Sequence, residues 1–530
     1  MTRCWWEGGT IYQVYPRSFQ DSAGDGIGDL RGMEQRLDYI ASLGVDAIWL
    51  SPIFPSPMAD FGYDIADYRG IEPLFGTQAD FDSLLAAVHA RGLKLLLDFV
   101  PNHSSDQHPW FIESRSSRNA PKRDWYIWHD PAPGGGPPNN WTSDFGGSAW
   151  EYDAATGQYY LHAFLTQQPD LNWRNPELRA AMHDVMRFWL DRGVDGFRID
   201  VLWHICKSLD FADNPLNPDY HPSMGEKFLV LQTHSTDQPE IHAIVRDMRT
   251  IADSYRGGDR CVLIGEICLP LPRLMTYYGN GSDGVHLPFN FALIETAWQA
   301  RTIAQFIEEY ESALPPGAWP NWVIGSHDAK RVAGRLGEPQ ARVAAMLLLT
   351  LRGTPTLYQG DEIGIGAVDI LPDMIRDPRE LREPGLGLGR DPARTPMAWD
   401  GSPHAGFSTA KPWLPLHADW RTRNVSAQLE DPHSILMLYR NLLSLRRDSH
   451  ELAKGPYEPI AAEGDVIAFR RGNQGGQFHI ALNLGPSPQA MPPVPERFEA
   501  LISTLPGPMP ERRNHLRSDE GILFREKPCG

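Results

Sequence analysis

Short apolar runs recur along this chain, separated by segments of helical periodicity, and that alternation restricts the fold more than any other feature. Ile11 to Pro16 is the first run, VDAIWL (Val45 to Leu50) the second and LKLLLDFV (Leu93 to Val100) the third. Between them, Leu37, Ile40 and Leu43 fall at helical spacing within Met33 to Leu43. A second helical stretch, Phe81 to Arg91, stops at Gly92, where a C-terminal cap belongs. Further runs follow at Gly196 to Val201, Cys261 to Ile267, about Val285 to Phe291, Trp322 to Ser326 and Thr356 to Tyr358, which makes eight. Strands joined through helices pair in parallel, and eight of them close into a (β/α)8 barrel, an α/β fold. The competing doubly wound sheet needs a glycine-rich turn after its first strand, and QVYPRSFQD is not one.

Two stretches fall outside the alternation. Residues 104–172 lack long helical periods and are dense in Trp, Tyr, Gly, Pro and Asp, including PAPGGGPPNNW. A structureless loop of that length is implausible, so the segment reads as a small inserted domain. Most of its rings (Trp125, Trp128, Trp141, Trp150) are expected to form its own core. Residues 454–530 carry short strands such as VIAFRR and FHIALNL between proline-rich connectors, the pattern of a C-terminal antiparallel, sandwich-like β domain. Residues 1–103 and 173–453 are left for the barrel.

Composition excludes several functions. With 49 basic and 67 acidic residues the net charge is 49 − 67 = −18. Such a surface repels phosphate backbones, which argues against nucleic acid and anionic membranes as partners and leaves neutral polar molecules. No apolar stretch approaches the ~18 residues of a membrane span. Five cysteines, odd in number and without a C-x-x-C pair, together with an N-terminus lacking an apolar signal core, fit a reduced, cytoplasmic chain.

In such a barrel the chemistry collects at the C-terminal ends of the strands. Those ends present Asp98, Asn102 and His103, then Arg198 and Asp200, then Glu266, then His327 and Asp328. Arg198 lies two residues before Asp200 and so projects from the same side of its strand, placed to hold Asp200 ionised. Two carboxylates facing one bond, one ionised and one protonated, are the equipment for cleaving a glycoside.

DFVPNH, GFRIDV, GEI and SHD resemble the four strand-end motifs of the α-amylase family of glycoside hydrolases (family 13). QPDLNW, WWEGGTIYQVYPRSFQDSAGDGIGDL, FGYDIADY and GRDPARTPMAWD are similar to its oligo-1,6-glucosidase and α-glucosidase branch. The resemblance runs from about Trp5 to about Leu452. It implies Asp200 as nucleophile, Glu266 as general acid/base and Asp328 as stabiliser of a positively charged transition state, in a retaining mechanism with the first two carboxylates about 5–5.5 Å apart. It further implies Tyr63 as a stacking ring and Asp64 as a hydroxyl acceptor for a terminal glucose. Arg394 would pair with that aspartate and close the pocket, against the plainer alternative of a surface ion pair and a core tyrosine. His103 and His327 resemble hydroxyl donors, with satisfied core histidines as the alternative. Phe164 resembles a pocket wall.

Asp21, Asp25, the Ile27 carbonyl and Asp29 resemble the family's metal loop, suited to a structural Ca2+ or Mg2+ and to no role in catalysis. Ala23 stands where the family commonly has Asn, and a turn of solvated aspartates is the alternative. Ser326 likewise stands where Asn usually precedes the His-Asp pair. The implied activity is exo-acting release of glucose from short α-glucosides, maltose-type ahead of isomaltose-type. Val201 after the nucleophile is the feature that favours α-1,6 linkages. An oligo-1,6-glucosidase and an α-glucosyltransferase are the alternatives, and a non-catalytic transporter heavy-chain-like module is a distant one. No cofactor is expected to take part in catalysis.

Overall fold

In the computed structural model, which describes residues 4–255, 261–280, 283–289, 291–473, 476–507 and 514–527, eight short strands form one parallel sheet. They are β1 (Ile11–Val14), β2 (Ala47–Leu50), β3 (Lys94–Phe99), β4 (Gly196–Ile199), β5 (Val262–Glu266), β6 (Leu287–Phe289), β7 (Asn321–Val323) and β8 (Thr354–Tyr358). Ladder pairing runs in the order β7, β8, β1, β2, β3, β4, β5, β6. The end strands β6 and β7 pack side by side, so the sheet closes on itself. This is the expected barrel. Its strands are buried along nearly their whole length, as parallel strands covered by helices must be.

The connecting helices start and stop where their residues dictate. Gln78–Ala90 opens on a capping box between Thr77 and Asp80 and ends before Gly92, which adopts φ 74°. Pro176–Arg192 opens on Asn175, whose side chain accepts the amides of Glu177 and Leu178, and ends at Gly193 with φ 114°. The stretch expected as one helix over Met33 to Leu43 is two, Leu30–Gln35 and Leu37–Leu43, broken at Arg36. There the guanidinium leaves the helix path to donate to Gln20 and to cover the Trp399 ring at 4.4 Å.

The insert after β3 holds a helix, Pro109–Arg115, and a three-stranded antiparallel sheet of Trp128–His129, Gln158–Leu161 and Trp150–Asp153. Trp141 and Trp150 stack at 6.0 Å and pack with Ile127, Ala149 and Leu161. The insert is tied to the long connection after β4: the Trp141 indole donates to the Ala212 carbonyl and the Asn140 amide to that of Asn214. After the helix Ile435–Asp448 the chain forms a five-stranded antiparallel sheet and a two-stranded ribbon, with a core of their own around Phe498, Ile522 and Phe524. Among the described residues no helix is long and apolar enough to cross a membrane.

Candidate active site

The C-terminal rim of the barrel is built around one cation. Arg198 on β4 sits directly across the β3–β4 ladder from Asp98 and is wholly buried. One terminal nitrogen donates to Asp98 at 3.0 Å and to Asp200 at 2.5 Å, and the other donates to Glu266 at 2.6 Å. Asp200 and Glu266 are thereby held on two arms of a single guanidinium, both nearly buried. Backbone geometry completes the arrangement. Val201 adopts a left-handed conformation (φ 34°, ψ 48°), which is strained for a β-branched residue, and its amide donates to Glu266 at 2.9 Å. Glycine at 265 leaves room beside this turn, since a Cβ there would lie 2.8 Å from the end of the Leu202 side chain.

Charge in this cluster is not balanced. Burial pushes Asp200 well above the usual carboxylate range, Arg198 opposing and Glu266 adding to the rise. Glu266 is pushed up in the same way, by burial first, with Arg198 opposing and Asp328 adding. Arg198 therefore binds Asp200 as expected but does not by itself keep it ionised, because three carboxylates share it. Together the two retain a proton where ordinary carboxylates would have lost both.

Asp328 lies opposite, five residues beyond the end of β7, with its side chain 28% exposed to the cleft. Burial works against its charge, but His327, Arg390 and Arg394 outweigh burial and hold the carboxyl well below the usual range. Arg394 donates to it at 2.8 Å and Arg390 approaches at 3.4 Å. Ser326 takes up the Asp328 amide at 3.1 Å through its hydroxyl. His327 is sandwiched between the rings of Tyr15 and Tyr63, at 5.8 and 5.4 Å. Gln13 reaches its Nδ1 at 2.7 Å through an amide nitrogen that can only donate, so the imidazole proton sits on Nε2, facing the Tyr63 hydroxyl and Asp328. Tyr63 donates in turn to Asp98 at 3.1 Å.

His103 is set up in the same manner. Buried Lys207 donates to the Asn102 carbonyl oxygen at 2.7 Å, which turns the Asn102 amide nitrogen towards His103 Nδ1 at 3.1 Å. Burial pushes both His103 and His327 down to about 3, so both are neutral, and His103 Nε2 lies between the Tyr63 carbonyl and the Gln168 amide nitrogen, each at 3.1 Å. Phe164 packs on His103 at 5.1 Å and lines the cleft. The cleft has a volume of about 280 Å3, and Asp200, Glu266, Asp328, Tyr63 and His103 all reach it.

The structure redraws one expected pair. Asp64 is wholly buried and is committed to its own loop: it accepts from Ser56 Oγ at 2.8 Å and from the amides of Ala59 and Asp60 at 2.8 and 2.9 Å. Arg394 donates to Asp328 and to the His327 carbonyl, not to Asp64. The aspartate and arginine that face each other at the cleft are Asp60 and Arg390, bonded at 2.6 Å. Asp377 anchors Arg390 from behind at 2.7 Å. Burial opposes the charge on Asp377, yet Arg390, with Arg394 behind it, brings the carboxyl down to about 2. Sequence reasoning missed Asp60, Arg390 and Phe145, over whose ring Arg390 lies at 4.9 Å. The first acidic residue of ADFGYD and the first arginine of GRDPAR were the available signals.

The residues expected to hold a cation are not brought together as a ligand set. Asp21 accepts the amides of Gly24 and Gly26 and the Ser408 hydroxyl. Asp29 accepts the Ser22 amide and hydroxyl and caps Gly32, and Asp25 accepts the Ile27 amide. Most of these carboxylate oxygens already accept hydrogen bonds, chiefly from amides of the loop itself. Among the described residues no group of acidic, histidine or cysteine side chains is arranged to hold a metal ion.

A closed parallel barrel carrying a crowded carboxylate pair, a third carboxylate and two neutral histidines at one rim defines the class: a barrel enzyme equipped for glycoside chemistry. Residues 13–455 match the model of the alpha amylase catalytic domain, and residues 453–519 match a domain of unknown function, DUF3459. A probable alpha-glucosidase of Rhizobium meliloti (strain 1021) is 40% identical over 91% of this chain and 90% of its own length. An oligo-1,6-glucosidase of Heyndrickxia coagulans is 39% identical over 91% of this chain and 92% of its own. Among solved structures, the alpha-glucosyl transfer enzyme XgtA superposes with a TM-score of 0.93 at 40% identity, covering 99% of this chain and 100% of its own. Trehalulose synthase MutB from Pseudomonas mesoacidophila MX-45 superposes with a TM-score of 0.90 at 35% identity, covering 99% of each chain. The chain belongs to the alpha-amylase family and is a glycoside hydrolase.

Proposed function

We propose that this enzyme is an exo-acting, retaining α-glucosidase that releases glucose from the non-reducing end of short α-glucosides, maltose-type ahead of isomaltose-type. The observation that carries the reading is the single guanidinium of Arg198 holding Asp200 and Glu266 side by side on one wall of a cleft whose other side is occupied by the Asp60–Arg390 pair. Asp200 and Glu266 each keep one oxygen clear of Arg198. In the first step Glu266 gives its proton to the glycosidic oxygen while ionised Asp200 attacks the anomeric carbon. The bond to the leaving group breaks, and a glucosyl ester forms on Asp200. Glu266, now ionised, then takes a proton from water as that water displaces Asp200. Asp328, held anionic, faces the positive charge that develops at the anomeric centre in both steps. Asp60, Arg390, His103 and His327 bind the hydroxyls of the terminal glucose, and Tyr63 and Phe164 contact its faces.

Relatives named for α-glucosidase and for oligo-1,6-glucosidase activity support glucose release and leave two linkages in play. Val201, whose side chain lines the cleft beside the nucleophile, favours the 1,6 reading. The likeness to XgtA, an alpha-glucosyl transfer enzyme, supports a share of glucosyl transfer in competition with hydrolysis. A cytoplasmic setting is supported by the thiols of Cys206 and Cys268, which form no disulfide. The test is a comparison of kcat/KM for maltose, isomaltose, sucrose and long starch chains, with glycerol as a competing acceptor. Maltose is expected to be the best of the four. Rapid mid-chain cutting of starch overturns the exo-acting reading, and isomaltose ahead of maltose overturns the linkage preference.

A further inference from the structure

The wall of the cleft that carries Arg390 has a second face. Behind it lies another hollow of about 280 Å3, equal in volume to the cleft, and the two share no lining residue. Neighbours in the chain look to opposite sides of this wall. Ala329, Arg379 and Arg390 reach the cleft, while Lys330, Glu380 and Asp391 reach the hollow. Residues 366–370, beyond the end of β8, close its far side together with Ile375.

One side chain there lacks a partner. Asp391 is 2% exposed; one of its oxygens accepts the amides of Arg376 and Asp377 at 2.7 and 3.0 Å, and the other accepts nothing. A buried polar atom without a hydrogen bond is rare and costly, and this one belongs to a residue lining a cavity that holds a sugar ring's volume. Lys330 and Asp369 are exposed, and neither forms an ion pair among the described residues. The remaining charged groups are committed, Glu380 to the amides of Gly385 and Gly389 and Arg331 to Thr395 and the Gln359 carbonyl.

These groups select among ligands. An anion would meet the carboxylates of Asp369, Glu380 and Asp391, and a cation would meet Lys330 and Arg331, so charge of either sign is opposed. An apolar molecule would leave the Asp391 oxygen unmet. A neutral molecule bearing several hydroxyls suits all of them: it can donate to Asp391 and Asp369, accept from Lys330, and lay its C–H surface on Val368, Ile370 and Ile375.

We propose that the hollow is a second sugar site, taking one neutral hexose such as glucose against the back of the wall that carries Arg390. The choice of glucose rests on the glucosidase reading above, which makes it the hexose released next door. Its occupant bears on the cleft through two contacts: Asp391 holds the amides of Arg376 and Asp377, and Asp377 anchors Arg390 at 2.7 Å.

Calorimetric titration of glucose into the full chain tests this, with the cleft blocked by saturating deoxynojirimycin, a basic iminosugar analogue of glucose. One glucose is expected to bind per chain. Gly366→Met should abolish that binding, because residue 366 lines the hollow, a Cβ there meets nothing within 4 Å, and its backbone is not left-handed. Lys330→Ala removes an exposed cation without an ion pair and is expected to weaken binding about tenfold or more, as loss of a hydrogen bond to a charged group does. Both variants should melt with the wild type. No glucose bound while maltose is still hydrolysed overturns the second site and leaves the glucosidase reading standing. Glucose bound by a chain that does not hydrolyse maltose overturns that reading and leaves the second site. Binding that survives both variants refutes the assignment, since the sugar would then sit elsewhere.

Discussion

Replacing Asp60 by Asn tests whether the cleft-closing pair has been identified correctly. Asp60 receives Arg390 on one oxygen at 2.6 Å and Gln168 on the other at 3.3 Å. In Asp60→Asn the first oxygen still accepts from Arg390, and Asp377 continues to anchor that arginine at 2.7 Å, so the fold survives. What disappears is the charged acceptor facing the cleft. A hydrogen bond to a charged group contributes about 1.5–3 kcal/mol, which is about a 10- to 150-fold loss in kcat/KM at about 1.4 kcal/mol per factor of ten. Asp64→Asn is the control. Asp64 spends its oxygens on Ser56, Ala59 and Asp60 within its own loop, so this change should lower the melting temperature and leave kcat/KM well above that of Asp60→Asn. Steady-state kinetics on maltose and thermal melts of both variants decide the matter. The reverse order, with Asp64→Asn the more damaging to kcat/KM and Asp60→Asn close to wild type, would refute the assignment.

Asp200→Asn should abolish turnover while leaving the melting temperature close to wild type; substantial residual activity measured with enzyme free of back-mutation contradicts its role as nucleophile. Arg198→Met leaves Asp98, Asp200 and Glu266 buried without a cation and should cost about 3–5 kcal/mol of stability, read in denaturant melts, with the deficit shrinking as pH falls and the carboxyls protonate. The pH–rate profile should be bell-shaped with both limbs above the ordinary carboxylate range, because burial raises Asp200 and Glu266 together: falling pH protonates the nucleophile, rising pH strips the acid, and Glu266→Gln assayed with an activated nitrophenyl glucoside should lose the basic limb. Stability follows the opposite sign at Asp377, whose carboxyl is lowered from 3.8 to about 2. Its contribution is complete above the ordinary value and is lost as pH falls through about 2, so Asp377→Asn should destabilise at neutral pH and hardly at all near pH 2. Chelation should leave the melting temperature unchanged, since the carboxylates of the Asp21–Asp29 loop are committed to their own amides; a fall on adding EDTA, reversed by Ca2+, would show that the loop does bind a cation.

The barrel was legible because each strand is a short run with its own punctuation, and the carboxylates were legible because strand ends fix which residues reach the rim. Asp200 and Glu266 needed nothing further. Legibility ended where a loop decides which of two like residues faces inward. In ADFGYD, Phe61 and Gly62 both take left-handed conformations (φ 48° and 109°), and that reversal turns Asp60 to the cleft and folds Asp64 back onto the loop's amides. In GRDPAR, a single turn at Asp391–Ala393 separates two arginines that both reach Asp328. Only the outer one, Arg390, also meets Asp60. Spacing cannot distinguish such cases, because the deciding quantity is a pair of backbone angles. Val201 is similar: its left-handed turn is invisible in GFRIDV, yet it supplies the amide that holds Glu266.

The same site explains what its charges are for. Arg198, Arg390 and Arg394 face six carboxylates, those of Asp60, Asp98, Asp200, Glu266, Asp328 and Asp377. The two histidines add no formal charge at neutral pH, because burial keeps them neutral there. A cluster short of positive charge by this much holds a proton, and the only carboxylates not fully engaged are those that face substrate. The proton is therefore kept where a leaving oxygen can take it. Once it has gone, the cleft is most negative at the moment the sugar is most positive. An acidic surface alone would not achieve this, since solvent screens it within about 10 Å. The arrangement works because the arginines are themselves buried, so each holds its carboxylates in place while leaving the sum of charges in favour of a cation at the anomeric carbon.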